Sequence, residues 1–210
     1  MPLHLNQPLT NFCNLTAVVL SMDPSAQNTI YTIGHSTHDI ATLVAMLESF
    51  GIRTLVDIRH YPGSRRFPHF NKEQLCESLS KAGIDYLHLE GLGGRRSVQK
   101  NSKNDRWRNS AFRGYADYME TDEFKNAIEA LESIALKRPT AYMCAEAVWW
   151  RCHRALVSDY LKAKGWKVQH ITAVDKAAEH PYTSAARVVG GRVYYSEETN
   201  MFGQMTEIED

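Results

Sequence analysis

Short apolar runs alternate along the chain with longer segments in which apolar residues recur every three or four positions. The run NTIYTIG is β-branched and closed by a glycine, which predicts a strand over 29–33. RTLVDIR predicts a second, buried strand at about 53–58. Similar runs predict strands at 85–89, 140–144 and 167–171.

The segments between these runs have the spacing of amphipathic helices. In HDIATLVAMLESFG, Ile40, Leu43 and Leu47 fall on one helical face, with Thr37 as N-cap and Gly51 as the stop. Further helices are predicted over 72–82 with Asn71 as cap, 112–119, 122–136 with Thr121 as cap, and 152–164. Residues 91–111 are polar and glycine-rich and predict a long loop, which in a compact domain is usually functional or disordered.

Strands that alternate with helices of this length indicate right-handed βαβ units and a mostly parallel sheet. The predicted fold class is therefore α/β, a three-layer α/β/α arrangement around a doubly wound sheet of about five strands. ARVVGGRVYYS predicts a small C-terminal hairpin around Gly190 and Gly191, as an added edge. We expect a domain over 28–178, a C-terminal extension over 179–210, and a poorly ordered extension over 1–27 in which Met22 could be the natural start.

Composition places the chain among globular proteins of one domain. Its 210 residues are 43% hydrophobic and 23% charged, and its apolar runs fall short of the roughly 18 residues of a membrane span. The N-terminal segment lacks the basic region and cleavage site of a signal peptide. We therefore expect a cytoplasmic protein with no membrane partner, whose four cysteines are free thiols.

Charge is unevenly distributed although the net charge is zero. From Arg59 to Arg113 there are 12 basic and five acidic side chains, a local charge of +7. Such a segment favours an anionic ligand, either a small molecule or a nucleic acid, and a solvated charged face is the alternative. The candidate substrate-binding residues are Arg59, Ser64, Arg65, Glu90, Gly94, Arg95, Arg113, His153 and Arg154.

Reactive side chains follow several of the predicted strands at the point where each strand ends. His35 follows the first strand, Asp57 ends the second, Glu90 follows the third, and Cys144 and Glu146 follow the fourth. Ligands of open α/β sheets bind outside the carboxyl ends of the strands. The convergence of these segments, more than any one of them, predicts an active site there.

The segment CAEAVWWRCHR carries the sharpest chemistry. If Cys152 begins the predicted helix, free backbone N–H groups and neighbouring basic residues would bind an anion and lower the pKa of the thiol. A thiolate beside an anion site is the arrangement of cysteine phosphatases and sulfur transferases. Cys144 and Arg151 are spaced C-x6-R rather than the C-x5-R of phosphatases, which argues against that particular class.

The candidate catalytic residues are Cys144 and Cys152 as thiolate, with Asp57, Glu146 and His35 as acid or base. Alternatively, Cys144, Cys152 and His153 could bind zinc or iron, although their spacing is not a standard one. Cys144 could also be a small buried strand residue with no chemistry. No other cofactor is predicted.

Several motifs resemble the domain of unknown function 488 family. They are TIGHST at 32–37, LVDIRHYPGSRR at 55–66, HLEGLGGRR at 88–96, WRNSAFRGYADYM at 107–119 and CAEAVWWRCHR at 144–154. The resemblance covers about residues 29–172. It implies an α/β domain with a site at Cys144, Glu146, Cys152, His153 and Arg154, and it implies no particular reaction.

Three hypotheses of function follow. The first is an enzyme acting on an anionic, phosphate-bearing substrate, such as a nucleotide or nucleic acid, through a cysteine-containing site. The second is a nucleic-acid-binding module without catalysis, motivated by the basic segment with Trp107, Tyr115 and Tyr118. The third is a metal- or redox-sensing protein built on Cys144, Cys152 and His153.

Overall fold

A computed structural model describes residues 28–197, so the predicted N-terminal extension lies outside the described residues. The strands are β1 Thr29–Gly34, β2 Thr54–Asp57, β3 Asp85–His88, β4 Thr140–Cys144, β5 Lys167–Ala173, β6 Lys176–Glu179, β7 Arg187–Val189 and β8 Arg192–Tyr194. The helices are α1 Ile40–Glu48, α2 Lys72–Lys81, α3 Ser110–Tyr118, α4 Asp122–Ala135 and α5 Arg154–Ala163. Single 3₁₀ turns cover Pro68–Phe70, Glu90–Leu92 and Trp149–Arg151. Within 28–197, no helix has the length and apolar character needed to cross a membrane.

The main sheet has the strand order β3-β2-β4-β1-β5-β6. Its first five strands are parallel, which confirms the predicted α/β class. The sixth strand, β6, was not predicted: the chain reverses at Asp175, whose φ is 55°, and adds an antiparallel edge to β5. The predicted hairpin is present as β7 and β8, but it forms a separate two-stranded sheet rather than an edge of the main one.

Two helical layers cover the sheet. Leu43 of α1 and Leu75 of α2 pack in one core cluster, whereas Phe124 of α4 and Leu156 of α5 pack in the other. From β1 the chain passes through α1 to β2, toward one edge of the sheet. From β4 it passes through α5 to β5, toward the opposite edge. The neighbouring strands β1 and β4 therefore form the switch point at which doubly wound folds open a crevice.

Helix starts differ from the sequence predictions at α1, α3 and α5, and α3 begins at Ser110 rather than at 112. The predicted N-cap Thr37 is wrong, because the carboxylate of Asp39 accepts from the Thr42 N–H at 2.6 Å and begins α1. Asn71 precedes α2 as predicted, but its side chain accepts from the Ser64 N–H instead of capping the helix. The cap at Thr121 is confirmed by its bond from the Phe124 N–H.

The third difference concerns the cysteine segment. The predicted helix start at Cys152 is wrong, because α5 begins at Arg154. The 3₁₀ turn Trp149–Arg151 comes first, and Cys152 itself has an extended backbone with φ −132° and ψ 150°. Cys152 therefore lies just before the helix rather than in its first turn.

Candidate functional site

A cavity of about 770 Å³ opens at the carboxyl ends of β1, β2 and β4. This volume is within the range of small-molecule binding sites. The predicted site residues that line it are His35, Arg59, Ser64, Gly94, Arg95, Cys144, Glu146, Cys152 and His153. The structure thus brings together side chains from four segments that are far apart in sequence.

The floor of the cavity is built where the loops after β1 and β4 cross. Gly34 pairs with Cys144 across the strands, and the His35 N–H donates to the Cys144 carbonyl at 3.0 Å. A Cβ atom on Gly34 would lie 1.9 Å from the carbonyl oxygen of Glu146. Only a glycine at this position lets the loop after β4 fold back over β1, so Gly34 sets the shape of the floor.

Cys144 and Cys152 are both buried free thiols at this floor. A hydrogen bond from the Cys144 thiol, together with the positive charge of Arg154, lowers the pKa of Cys152 to about 7 despite its burial. Burial raises the pKa of Cys144 well above its ordinary value. Their surroundings therefore favour the thiol form of Cys144, whose sulfur also lies 4.0 Å from the Glu146 carbonyl oxygen, and shift Cys152 toward the thiolate.

His153 contacts the sulfur of Cys152. Its Nδ1 atom lies 3.4 Å from that sulfur, and its Nε2 atom lies 3.1 Å from the Ile58 carbonyl. Since a carbonyl only accepts, the hydrogen-bond pattern assigns the proton to Nε2 and leaves Nδ1 as an acceptor facing Cys152. Burial lowers the pKa of His153, which keeps the ring neutral.

Gly94 allows this ring to sit where it does. A Cβ atom at position 94 would lie 2.9 Å from His153 Nδ1, the same atom that faces Cys152. Gly94 therefore contributes space for the ring of His153.

Arg154 braces the loop from behind the cavity. Its side chain is 1% exposed and donates to the carbonyl of Glu146 at 2.7 Å, to that of Ala147 at 3.2 Å, and to Thr32 Oγ1 at 3.1 Å. Arg154 is not among the residues that line the cavity. Its charge and its hydrogen bonding lower the pKa of Cys152. Its hydrogen bonds to the Glu146 and Ala147 carbonyls hold the loop that carries Glu146.

Arg59 is held rigidly at the cavity wall by Asp57. The two side chains form a bidentate ion pair, with Nε 2.9 Å from Oδ1 and Nη2 2.5 Å from Oδ2, and Tyr86 donates to the same carboxylate at 2.8 Å. Asp57 is fully buried and does not line the cavity. Its carboxylate is occupied by Arg59 and Tyr86, so its geometry is that of a group that orients Arg59.

His35 completes this wall. Its Nδ1 lies 3.0 Å from the Ser36 carbonyl and so carries the proton, and its Nε2 lies 3.3 Å from Arg59 Nη1. The ring stacks on Phe70 at a centroid distance of 4.0 Å. Burial, followed by the charge of Arg59, lowers the pKa of His35 to about 4, so this ring is neutral near pH 7.

Besides Asp57 and Arg154, three further predicted site residues do not line the cavity. Arg65 is exposed, and the exposed Glu90 pairs with His60 Nδ1 at 3.7 Å. Arg113 donates to the side chain and carbonyl of Ser102 and thereby holds the long loop. The buried carboxylate of Asp117 accepts from three groups of the same loop, which gives 93–109 a defined path.

Some lining residues were absent from the predicted site. Phe67, Asn109, Phe112 and Arg151 all line the cavity. Phe67 directly follows the basic run Ser64–Arg66, and Arg151 lies between the two cysteines, so both were within reach of sequence reasoning. Phe112 gives no signal in the sequence, because its spacing is equally that of a helix core residue.

The aromatic residues considered for base stacking are engaged inside the protein. Trp107 stacks on Phe112 at 4.8 Å, and the Tyr115 hydroxyl donates to the Leu92 carbonyl. The Tyr118 hydroxyl donates to the Gly91 carbonyl, and the guanidinium of Arg96 lies over its ring at 3.7 Å. These contacts give Trp107, Tyr115 and Tyr118 a structural role.

The alternative ligand set for zinc or iron, Cys144, Cys152 and His153, stays a prediction. Across the part of the chain that the structure describes, no three His, Cys, Asp or Glu side chains converge in a way that could hold a metal ion. The three side chains lie close together. However, His153 Nε2 is hydrogen-bonded to the Ile58 carbonyl, and His153 Nδ1 faces Cys152.

Comparison with known proteins identifies the family. The family described as Domain of unknown function DUF488 matches residues 39–161. The chain belongs to the DUF488 family. This match contains Asp57, Arg59 and the whole segment from Cys144 to Arg154, and it begins after β1 and ends within α5. Searches of curated proteins and of solved structures gave no match.

Proposed function

We propose that this DUF488 protein is an enzyme in which Cys152 is the nucleophile and the substrate is an anionic, phosphate-bearing compound. One observation carries the proposal: a buried thiol with a pKa of about 7 sits at the floor of an arginine-lined cavity, in contact with the acceptor nitrogen of His153. A thiol that ionises near neutral pH in a cleft is typical of a catalytic cysteine.

The neighbouring groups supply the proton chemistry. In the thiol form of Cys152, the acceptor Nδ1 of His153 takes the proton, and the Cys144 thiol stabilises the resulting thiolate. Attack of this sulfur on the phosphorus atom forms an S–P bond and breaks the bond from phosphorus to the leaving oxygen. That oxygen takes the proton from His153, and water or an acceptor then releases the phosphoryl group from sulfur.

Arginines provide the site for the substrate anion. Arg59, Arg95 and Arg151 line the cavity, and Glu146 is the acidic side chain among the lining residues within 28–197. Arg59 is oriented by Asp57, with its Nη1 facing His35. A fixed guanidinium recognises phosphate oxygens better than a mobile one, since less conformational freedom is lost on binding.

The size and aromatic surface of the cavity suit a nucleotide. Phe67, Phe112 and the 64% exposed Tyr61 line it together with the arginines. An aromatic surface beside fixed cations is the chemistry that recognises a planar ring carrying a phosphate. The free thiols that this mechanism requires suit a reducing compartment such as the cytoplasm.

A matched set of cysteine variants tests the proposal. The unmodified protein would be screened with nucleotides, sugar phosphates and an aryl phosphate, followed by peptide mass spectrometry of the quenched reaction. We expect turnover and a phosphorylated Cys152 peptide, both lost in Cys152→Ala and both retained in Cys76→Ala, which changes an exposed thiol on α2. Turnover that persists in Cys152→Ala would rule out this nucleophile.

Nucleic-acid binding is a second candidate, favoured by the exposure of the basic segment. Arg65, Arg66 and Arg95 are exposed, as are Lys100, Lys103 and Arg108 of the long loop. A polyanion that bound this surface would bind less tightly as salt increases, and its affinity would be the same in Cys152→Ala. No binding of single- or double-stranded DNA or RNA at low salt would exclude this candidate.

A further inference from the structure

A second buried polar network lies behind the wall of the cavity. Asp159 of α5, His170 of β5 and His180 after β6 are all at most 2% exposed. His180 Nε2 lies 2.9 Å from Asp159 Oδ1, and His180 Nδ1 lies 2.9 Å from His170 Nε2. None of these three residues lines the cavity.

The carboxylate fixes the direction of this chain of hydrogen bonds. Because Asp159 accepts, His180 carries its proton on Nε2 and presents Nδ1 as an acceptor. His170 must then donate from Nε2. Burial, followed by the charges of His180 and Arg154, lowers the pKa of His170 to about 2, so its ring stays neutral. The hydrogen bonds of the network thus run from His170 to His180 and from His180 to Asp159.

Trp149 connects this network to the cysteine. Its ring stacks flat on His170 with a centroid distance of 4.5 Å and an angle of 8°, and meets the edge of His180 at 4.9 Å. The carbonyl of Trp149 accepts from the Cys152 N–H at 3.2 Å. The rings thus place the 3₁₀ turn that holds the backbone of Cys152.

The C-terminal segment closes the same network. Thr183 donates to Asp159 from its N–H at 2.9 Å and from its hydroxyl at 2.6 Å, and the Tyr195 hydroxyl donates at 2.9 Å. His180, Thr183 and Tyr195 all lie beyond residues 39–161, the part of the chain that the family matches. Asp159 is the one member of the set within that match.

We propose that Asp159, His180 and His170 are positioning residues for Cys152, acting through Trp149, and that the C-terminal segment from His180 to Tyr195 is thereby part of the working site. This inference rests on the proposed function, in which Cys152 reacts as a thiolate. The contacts that stabilise the thiolate, from Cys144 and Arg154, depend on where the 3₁₀ turn places the sulfur.

The test measures the rate of Cys152 alkylation against pH, by peptide mass spectrometry of the full chain. His170→Phe keeps a ring for Trp149 but removes the hydrogen bond to His180. We expect the midpoint of alkylation to rise by roughly one pH unit, a tenfold loss of thiolate at a fixed pH below the midpoint. Trp149→Leu, which removes the connecting ring, should give a shift of similar size.

A neighbouring residue provides the matched control. Ile171 follows His170 on β5 but packs in the core cluster on the other face of the sheet. Ile171→Ala should lower the melting temperature and leave the alkylation midpoint unchanged. If His170→Phe fails to fold, Tyr195→Phe and Thr183→Val remove single donors to Asp159 and decide the question by the same measurement.

The outcomes separate this inference from the proposed function. A midpoint near pH 7 in the unaltered protein that stays there in every folded variant would overturn the positioning role alone. A midpoint well above pH 8 in the unaltered protein would overturn the thiolate role of Cys152 and the inference with it. Upward shifts in the network variants and not in Ile171→Ala would support the inference.

Discussion

The acceptor nitrogen of His153 faces the sulfur of Cys152 at 3.4 Å, while the opposite nitrogen of the same ring donates to the Ile58 carbonyl at 3.1 Å. In the proposed reaction, the residue that follows Cys152 in sequence is thus also its proton acceptor. Ile58 comes directly after β2, which lies two positions away from β1 in the sheet. The orientation of the His153 ring therefore depends on β2. The orientation of His153 toward Cys152 is therefore set by the tertiary fold rather than by the local sequence Cys-His-Arg.

Removal of the Cys144 thiol should make Cys152 less acidic. The hydrogen bond from Cys144 is the largest contribution to the lowered pKa of Cys152, so Cys144→Ala should move the midpoint of Cys152 alkylation from about pH 7 toward pH 8. A hydrogen bond to a charged group contributes about 1.5–3 kcal/mol, which corresponds to one or two pH units. Cys144→Ser keeps a donor and should give a smaller shift, and equal shifts in the two variants would contradict this role.

A methyl group at position 94 should displace His153. The added Cβ of Gly94→Ala would lie 2.9 Å from His153 Nδ1, whereas Gly63 lines the same cavity with its nearest contact at 4.0 Å. We expect Gly94→Ala to slow turnover of the identified substrate roughly 10- to 100-fold, as a displaced catalytic group does, with little change in melting temperature. Gly63→Ala is the matched control, and a comparable loss in both variants would point to general crowding of the cavity.

Arg95 and Arg65 should differ in their contribution to anion affinity. Arg95 lines the cavity with a strained φ of 63° and its guanidinium 5.6 Å from the ring of Tyr61, whereas the exposed Arg65 does not line the cavity. Calorimetric titration with the identified substrate should show a roughly 10-fold or greater loss of affinity in Arg95→Ala, as expected for a charge-assisted bond. Arg65→Ala should bind as the unaltered protein does, and equal losses would indicate a diffuse surface effect.

Asp57→Asn should destabilise the fold as well as the site. Arg59 is 6% exposed and Asp57 fully buried, so loss of the carboxylate leaves an uncompensated buried charge. Denaturant unfolding should show a loss of about 3–5 kcal/mol in the free energy of unfolding. Glu77→Gln breaks the exposed pair with Lys81 on α2 and should have almost no effect. A similarly small effect of Asp57→Asn would mean that Arg59 needs no partner.

Hydrophobic periodicity was sufficient to predict the five parallel strands and the helices between them. Strand ends also predicted the side of the sheet on which His35, Arg59, Cys144 and Cys152 meet, because parallel strands bring their carboxyl ends to one edge. The pattern could not predict β6: Lys176–Glu179 is exposed along its length and follows no buried alternation. The cap at Asp39 was missed because several polar residues before α1 could serve equally well.

Contacts that depend on tertiary geometry were beyond the sequence. A carboxylate such as that of Asp57 can act as a general base in catalysis. Only the structure shows that this carboxylate is bound by Arg59 and Tyr86. Arg154 was predicted to bind substrate, and its position in the motif gives no sign that it holds loop carbonyls from behind. Asp159, His170 and His180 lie on a helix, a strand and a tail, and their spacing follows no metal or catalytic motif.

The central position of β1 has a consequence for any attempt to isolate the region that the family matches. This strand hydrogen-bonds β4 on one side and β5 on the other, yet it lies before residue 39, and β5 lies after residue 161. A fragment cut to residues 39–161 would keep β2, β3 and β4 but expose the buried main-chain edge of β4 to solvent. An uncovered apolar edge recruits other chains, so such a fragment should precipitate or associate. The unit that folds is therefore larger than the unit that sequence comparison marks out.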